Sequence, residues 1–117
     1  MPAALPAVEV SRKTGQEQFI VNGQPTNWRL IDFWQWYASD LLSNALRGTM
    51  AEYIVSRALH CSDAVRMEWD ACDVRTDQGL KIEVKSGAYL QSWDQEQHSK
   101  IIFDIKPTQG WDAATNI

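Results

Sequence analysis

From Trp69 to Lys85 the chain reads Trp-Asp-Ala-Cys-Asp-Val-Arg-Thr-Asp-Gln-Gly-Leu-Lys-Ile-Glu-Val-Lys, a pattern that predicts a β-hairpin. Asp77-Gln78-Gly79 is the turn signal, because glycine supplies the positive φ that a tight reversal needs, and the flanking runs are apolar or β-branched at alternate positions. Strand side chains alternate, so Leu80, Ile82 and Val84 share one face while Lys81, Glu83 and Lys85 share the other. Asp73 on the first arm is expected across from Glu83 on the second.

Two carboxylates held this close repel each other unless a cation sits between them, and hard oxygen donors favour Mg2+ or Mn2+ over a soft metal. A lysine beside them can orient a water or offset phosphate charge. Metal-assisted phosphodiester hydrolysis requires such parts: a divalent ion that lowers the pKa of water, and a positioned cation. An ordinary cross-strand ion pair among Asp73, Glu83 and Lys85 is the structural alternative.

These residues resemble the PD-(D/E)xK nuclease superfamily, the restriction-endonuclease-like fold. The resemblance rests on Asp73, on Glu83-Val84-Lys85 and on a glutamate in the preceding helix. The run from Asn44 to Val55, then Glu68-Trp69-Asp70, Ile82-Glu83-Val84-Lys85 and Tyr89-Leu90-Gln91-Ser92-Trp93, is similar to a bacterial branch of that superfamily, over about residues 28 to 105. The chain departs from the family at Cys72, where the proline that names the superfamily would stand. The resemblance implies an α/β fold with a restriction-endonuclease-like core, a mixed β-sheet flanked by helices, with helices before the sheet. It also implies Asp73, Glu83 and the backbone carbonyl of Val84 as ligands of Mg2+ (or Mn2+), and Lys85 as the residue that orients the attacking water.

A helical glutamate often completes the metal site in that superfamily, and Glu52 matches the place. Gly48 lies one turn before Glu52 on the same helix face, so the absent side chain would let the sheet or a substrate backbone approach the carboxylate. A glutamate in a helix usually faces solvent, but Ala51, Tyr53 and Ile54 around it favour partial burial. Several branches use a glutamine after the Glu-x-Lys strand to position the lysine or a nucleotide, and Gln91 fits that role. Its alternative is a polar loop with Trp93 packed as core. Trp28 and Trp69 are assigned to the core. Arg47 either contacts a phosphate or caps a helix, with the structural role ahead.

Composition bounds these readings. The 117 residues suit a single domain, and 44% hydrophobic content with six tryptophans indicates a folded chain. The net charge of -4 argues against an indiscriminate nucleic-acid binder, whose affinity comes from excess Lys and Arg. It leaves a nuclease open, since a divalent ion would offset the local carboxylates Glu68, Asp70, Asp73 and Asp77. No apolar run reaches membrane-spanning length and no basic-then-apolar leader opens the chain, so the expected location is cytoplasmic. Cys61 and Cys72 have no metal-ligand spacing and are expected to be reduced thiols. His60 and His98 have no partner at ligand spacing, and no P-loop, G-x-S-x-G or G-x-G-x-x-G occurs.

Along the chain, residues 1 to 16 are expected as a flexible arm and 17 to 117 as one nuclease-like domain. A short strand over 17 to 22 precedes an Asn22-Gly23 turn. From Asn27, Leu30, Ile31, Phe33, Trp34, Tyr37, Leu41 and Leu42 recur at helical spacing, predicting a helix that ends near Ser39-Asp40. A second helix is predicted from Asn44 to Leu59, capped by Ser43 or Asn44, with Leu46, Met50, Tyr53, Ile54 and Ala58 as its apolar stripe. Strands are expected at about 65 to 70, 72 to 76, 80 to 86 and 100 to 105. Only about twelve residues follow, so the chain is expected either as a fragment or as a homodimer in which a second copy completes the sheet.

The expected function is a metal-dependent nuclease acting on DNA, with Asp73, Glu83, Val84, Glu52, Lys85 and Gln91 as its site. The rivals are an RNA nuclease, a catalytically silent member of the fold that binds nucleic acid or protein, and a structural module without metal affinity.

Overall fold

Asn22 and Gly23 set the first element pair. In the computed structural model, which describes residues 5 to 68 and 74 to 104, both take positive φ, 50° and 76°. Two successive left-handed residues make a two-residue hairpin turn that matches strand twist, which is why Asn-Gly is favoured there. Strand β1, Gln18–Val21, therefore folds back on β2, Gln24–Arg29, with Val21 opposite Gln24 and Ile20 opposite Pro25. The register then shifts before Gln18 meets Arg29. The Thr26 hydroxyl donates to the Phe19 carbonyl at 2.8 Å and the Gln18 amide nitrogen to the Thr26 carbonyl at 3.0 Å, so side chains replace ladder bonds across the irregularity.

Helix α1, Leu30–Tyr37, begins where β2 ends. Asp32 accepts from the Arg29 backbone N–H at 2.8 Å, which satisfies a donor at the helix start and places a negative charge in the first turn. Two further backbone bonds join this start to the segment before β1: Leu30 N–H to the Glu17 carbonyl and Ile31 N–H to the Gly15 carbonyl, both 2.9 Å. Gly15 is buried with φ of +94°, and a Cβ there would stand 3.1 Å from Trp34 Cζ3 and 3.4 Å from Ile31 Cβ. The arm thus lies against α1 through a position that only glycine fills without strain. Glu17 closes the same corner, its carboxylate accepting from the Thr14 N–H and hydroxyl at 3.0 Å and from the Gly15 N–H at 2.8 Å.

Helix α2, Asn44–Ala58, starts at Ser43, whose Oγ accepts from the Leu46 N–H at 3.3 Å. It ends in a left-handed residue, His60, φ 57°, with His60 N–H bonded to the Arg57 carbonyl and Cys61 N–H to the Ser56 carbonyl. Arg57 in the last turn complements the helix dipole.

The later hairpin pairs β3, Val74–Arg75, with β4, Lys81–Ile82, antiparallel, Val74 opposite Ile82 and Arg75 opposite Lys81. Its connection is held by Gly79 N–H to the Thr76 carbonyl and Thr76 N–H to the Leu80 carbonyl, both 2.9 Å, with Gly79 at φ +84°. A turn followed by a left-handed glycine is the common three-residue hairpin loop. Helix α2 packs against β3, and Val74, 5% exposed, is the buried hydrophobic residue among those described.

Among the described residues the architecture is α+β: two separate two-stranded antiparallel sheets, one before and one after the helices. The expected combination of helices and strands is present; the described strands pair antiparallel, and β1–β2 precedes the helices. Both sheets are hairpins closed by short turns, a connection that yields antiparallel pairs and no parallel crossover. Strand β2 was not expected, because Gln24-Pro25-Thr26-Asn27 is a poor strand composition. No strand is present over residues 65 to 68 or 100 to 104; residues 69 to 73 and 105 lie outside the described residues, as does the core assignment of Trp69. Trp28 is 59% exposed rather than core; it sits on a two-stranded sheet that packs against α1. On the expected stripe of α2, Tyr53 and Ile54 are 53% and 60% exposed; the buried position of this helix is Glu52. Among the described residues no helix is long and apolar enough to cross a membrane.

Candidate functional site

Glu52 reaches a buried setting, 8% exposed, although its helix is neither strongly apolar nor deeply packed. The reason is Arg66, from the segment after α2, which lays its guanidinium along the carboxylate: Nε to Oε1 at 3.0 Å and Nη2 to Oε2 at 3.1 Å. Paired, fork-on-fork hydrogen bonds of this kind are strong and directional, and they offset the desolvation of a buried carboxylate. A carboxylate offers about four acceptor positions, so Arg66 leaves about two of them open.

Gly48 faces open space rather than the sheet. A Cβ built there meets nothing within 4 Å, so neither the sheet nor any other described segment approaches Glu52 over it. The open side of Glu52 is instead a cleft of about 520 Å3 between the N-terminal arm, α2, the segment after α2 and β3. Glu52 and Arg66 stand in its wall with Tyr53, Trp34 and, from the arm, Arg12 and Lys13.

Glu83 and Lys85 follow β4 in extended chain and meet each other, Lys85 Nζ to Glu83 Oε1 at 3.0 Å, on an exposed surface. The pair lies within one segment, two residues apart; the cross-strand pairing with Asp73 that was the alternative reading falls outside the described residues. Neither residue lines the cleft at Glu52. Val84 between them is half-buried. The expected position of Asp73 lies outside the described residues, and among those that are described no three His, Cys, Asp or Glu side chains cluster as a metal would require.

Gln91 belongs to a different piece of architecture. Its side-chain nitrogen donates to the Ala88 carbonyl at 3.2 Å and to Ser99 Oγ at 3.3 Å, while its backbone N–H is received by Gln95 Oε1 at 2.8 Å. Ser99 N–H to the Tyr89 carbonyl at 3.0 Å closes the same loop, and Ser92 Oγ ties it to Asp40 at 2.6 Å. Gln91 therefore organises the loop from 88 to 99, and none of its hydrogen bonds goes to Lys85. Trp93 and Tyr89 are exposed on this loop, Tyr89 with its ring 6.2 Å from that of His98. Arg47 is structural: it donates to the Leu42 carbonyl and to Asn44 Oδ1, both at 3.0 Å, and braces the start of α2.

The structure thus joins Glu83 to Lys85, sets Glu52 in a cleft with Arg66, and places Gln91 in a loop of its own. Arg66, Arg12 and Lys13 were missed by the sequence reading. For Arg66 no local signal exists, because its partner is a helix residue fourteen positions earlier; the adjacent cations Arg12 and Lys13 were visible but sit in a segment read as a bare arm. Comparison with protein-family models, curated proteins and solved structures yields no match to this chain.

Proposed function

We propose that the chain is a metal-dependent nuclease that hydrolyses DNA phosphodiester bonds on a restriction-endonuclease-like core. The observation that carries this reading is Glu52: a carboxylate buried on α2, open to a cleft, in the helix that packs against the hairpin leading to Glu83-Val84-Lys85. A buried carboxylate at a cleft is costly for stability and is a recurring mark of a working site. The register of β3 on β4, Val74 opposite Ile82, is also the register in which the sequence reading puts Asp73 across from Glu83.

The donors named by that reading, Asp73, Glu83, the Val84 carbonyl and Glu52, are hard oxygens that suit Mg2+ or Mn2+. Such an ion supplies charge stabilisation at the phosphate and a more acidic water. Lys85, which pairs with Glu83, would orient the attacking water. Arg66 holds the carboxylate of Glu52 in place while leaving acceptor positions for a ligand.

A second reading, a silent member of the fold that binds nucleic acid, is favoured by one observation: each carboxylate described at the site already has a cation, Arg66 on Glu52 and Lys85 on Glu83. Titration with Mn2+ alone, followed calorimetrically, separates the two. Binding that disappears in Glu83→Ala, together with Mg2+-dependent cleavage of linear or branched DNA that is lost in Lys85→Ala, is expected for the nuclease. Absence of Mn2+ binding in the wild type sinks the metal site, and cleavage of RNA in place of DNA overturns the substrate.

A further inference from the structure

The charge around the cleft runs opposite to that of the chain. Net charge is -4 overall, yet the described residues lining the cleft include four cations, Arg12, Lys13, Arg66 and Arg75, and a single carboxylate, Glu52. That carboxylate is already paired with Arg66. On the arm side, Lys13 is held by its own neighbour, Nζ donating to the Ser11 carbonyl at 3.0 Å and to Ser11 Oγ at 2.9 Å, and the arm itself is pinned to α1 just beyond, at Gly15 and Glu17. Arg12 is exposed and forms no ion pair among the described residues. Lys13 is therefore held in place, on an arm whose backbone is pinned just beyond both cations.

The same cleft has aromatic lining. Tyr53 lines the cleft with half of its surface accessible, and Trp34 lines it while resting on Gly15. The volume, about 520 Å3, is of the size that takes a small organic group rather than a lone ion. Cations beside an accessible aromatic face match one kind of ligand, a planar base joined to a phosphate, and stacking with backbone tracking is how single strands are held without sequence readout.

We propose that the cleft between the arm and α2 binds a nucleotide unit of single-stranded nucleic acid, its phosphate on Arg12 and Lys13 and its base against Tyr53. The cleft is the one in which Glu52 stands, so the site borders the proposed metal donors, but binding needs neither metal nor cleavage and is tested without them.

The test is fluorescence anisotropy of a labelled single-stranded oligonucleotide with the full chain in EDTA, over a range of salt concentrations. Arg12→Ala/Lys13→Ala is expected to weaken binding about tenfold at low salt and to make the log–log salt slope shallower by about 0.7, the share of one single-strand phosphate contact. Tyr53→Ala is expected to weaken binding about tenfold with the slope unchanged, as loss of a stacked base does. Arg12 and Tyr53 are exposed, so these variants leave the packed residues intact, and circular dichroism checks that they do. Wild-type protein that does not bind, or an Arg12→Ala/Lys13→Ala variant with unchanged affinity and slope, overturns the proposal. Competition by inorganic phosphate as strong as that by the strand overturns the base contact, and competition by a free mononucleotide as strong as that by the strand replaces the strand with a free nucleotide as ligand. A wild type that binds in EDTA but never cleaves with Mg2+ removes the nuclease and keeps this site.

Discussion

Glu52 and Arg66, fourteen residues apart, meet through two nearly parallel hydrogen bonds of 3.0 and 3.1 Å, and this pair sets the charge of the helix face that borders the cleft. Removing one member should be worse than its exposed position suggests. Arg66→Ala leaves a carboxylate 8% exposed without its guanidinium and is expected to cost about 2 kcal/mol, the scale of hydrogen bonds to a charged group. Glu52→Gln keeps the shape and should cost less. Urea unfolding of both variants checks the order, and an Arg66→Ala protein as stable as wild type would show that the pair contributes nothing. Under the nuclease proposal Arg66→Ala also frees acceptor positions on Glu52, so Mn2+ affinity should rise.

Gly48 is a site where the helix gains by substitution. Among the described residues no atom outside its own helix comes within 4 Å of a Cβ there, so Gly48→Ala removes backbone freedom from the unfolded chain without a clash with them. Stabilisation of about 1 kcal/mol is expected. Thermal melts measure it, and a loss of stability would mean that something does pack over this position.

Two left-handed positions should respond in opposite directions. His60 ends α2 at φ 57° with a side chain, so His60→Gly relieves backbone strain and is expected to stabilise by about 1 kcal/mol. Gly79 already holds φ +84° in the β3–β4 turn, so Gly79→Ala should destabilise by about 1 kcal/mol. Equilibrium unfolding of the two single variants is sufficient; the same sign for both would contradict the backbone geometry.

Hairpin turns and the limits of α2 were legible in the residues because local chemistry decides them, whereas α1 is shorter than its apolar spacing indicated, β2 running through its expected start. Asn22-Gly23 and Gly79 can only be understood as reversals, and Ser43 caps α2 within one residue of where the spacing put its start. What was not legible depends on contacts distant in sequence. Spacing showed that Glu83 and Lys85 share a face, yet could not say whether they pair with each other or with a ligand. It put an apolar stripe on α2 through Tyr53 and Ile54, whereas the buried position is Glu52, because burial there comes from Arg66 and not from hydropathy. Gln91 was read by its place after a motif, and its hydrogen bonds to Ala88 and Ser99 follow from how the loop closes.

The corner at Glu17 carries a pH signature. The Thr14 backbone N–H above all, with further backbone bonds at this corner and the Thr14 hydroxyl, holds the Glu17 carboxyl down from 4.5 to about 2. A depressed carboxyl stabilises the fold above its ordinary value and loses that contribution as pH falls through its folded value, so the arm should stay docked at neutral pH and loosen between about pH 4.5 and 2. NMR shifts of the Thr14 and Gly15 amides report this directly. A midpoint near 4.5 would mean a carboxyl free of these bonds, and Glu17→Gln should abolish the transition.

Gly15 gives the arm an unusual mutational profile. Every other residue at that position carries a Cβ that must stand 3.1 Å from Trp34 in a backbone conformation that side chains avoid, so the chemical character of the replacement is irrelevant: conservative and radical changes alike lift the arm from α1. In a saturation library, position 15 should therefore behave as all-or-nothing. Exposed neighbours such as Val8 and Val10 should tolerate graded variation. Where Arg12 and Lys13 stand thus depends less on their own surroundings than on one missing methyl group three and two residues further along.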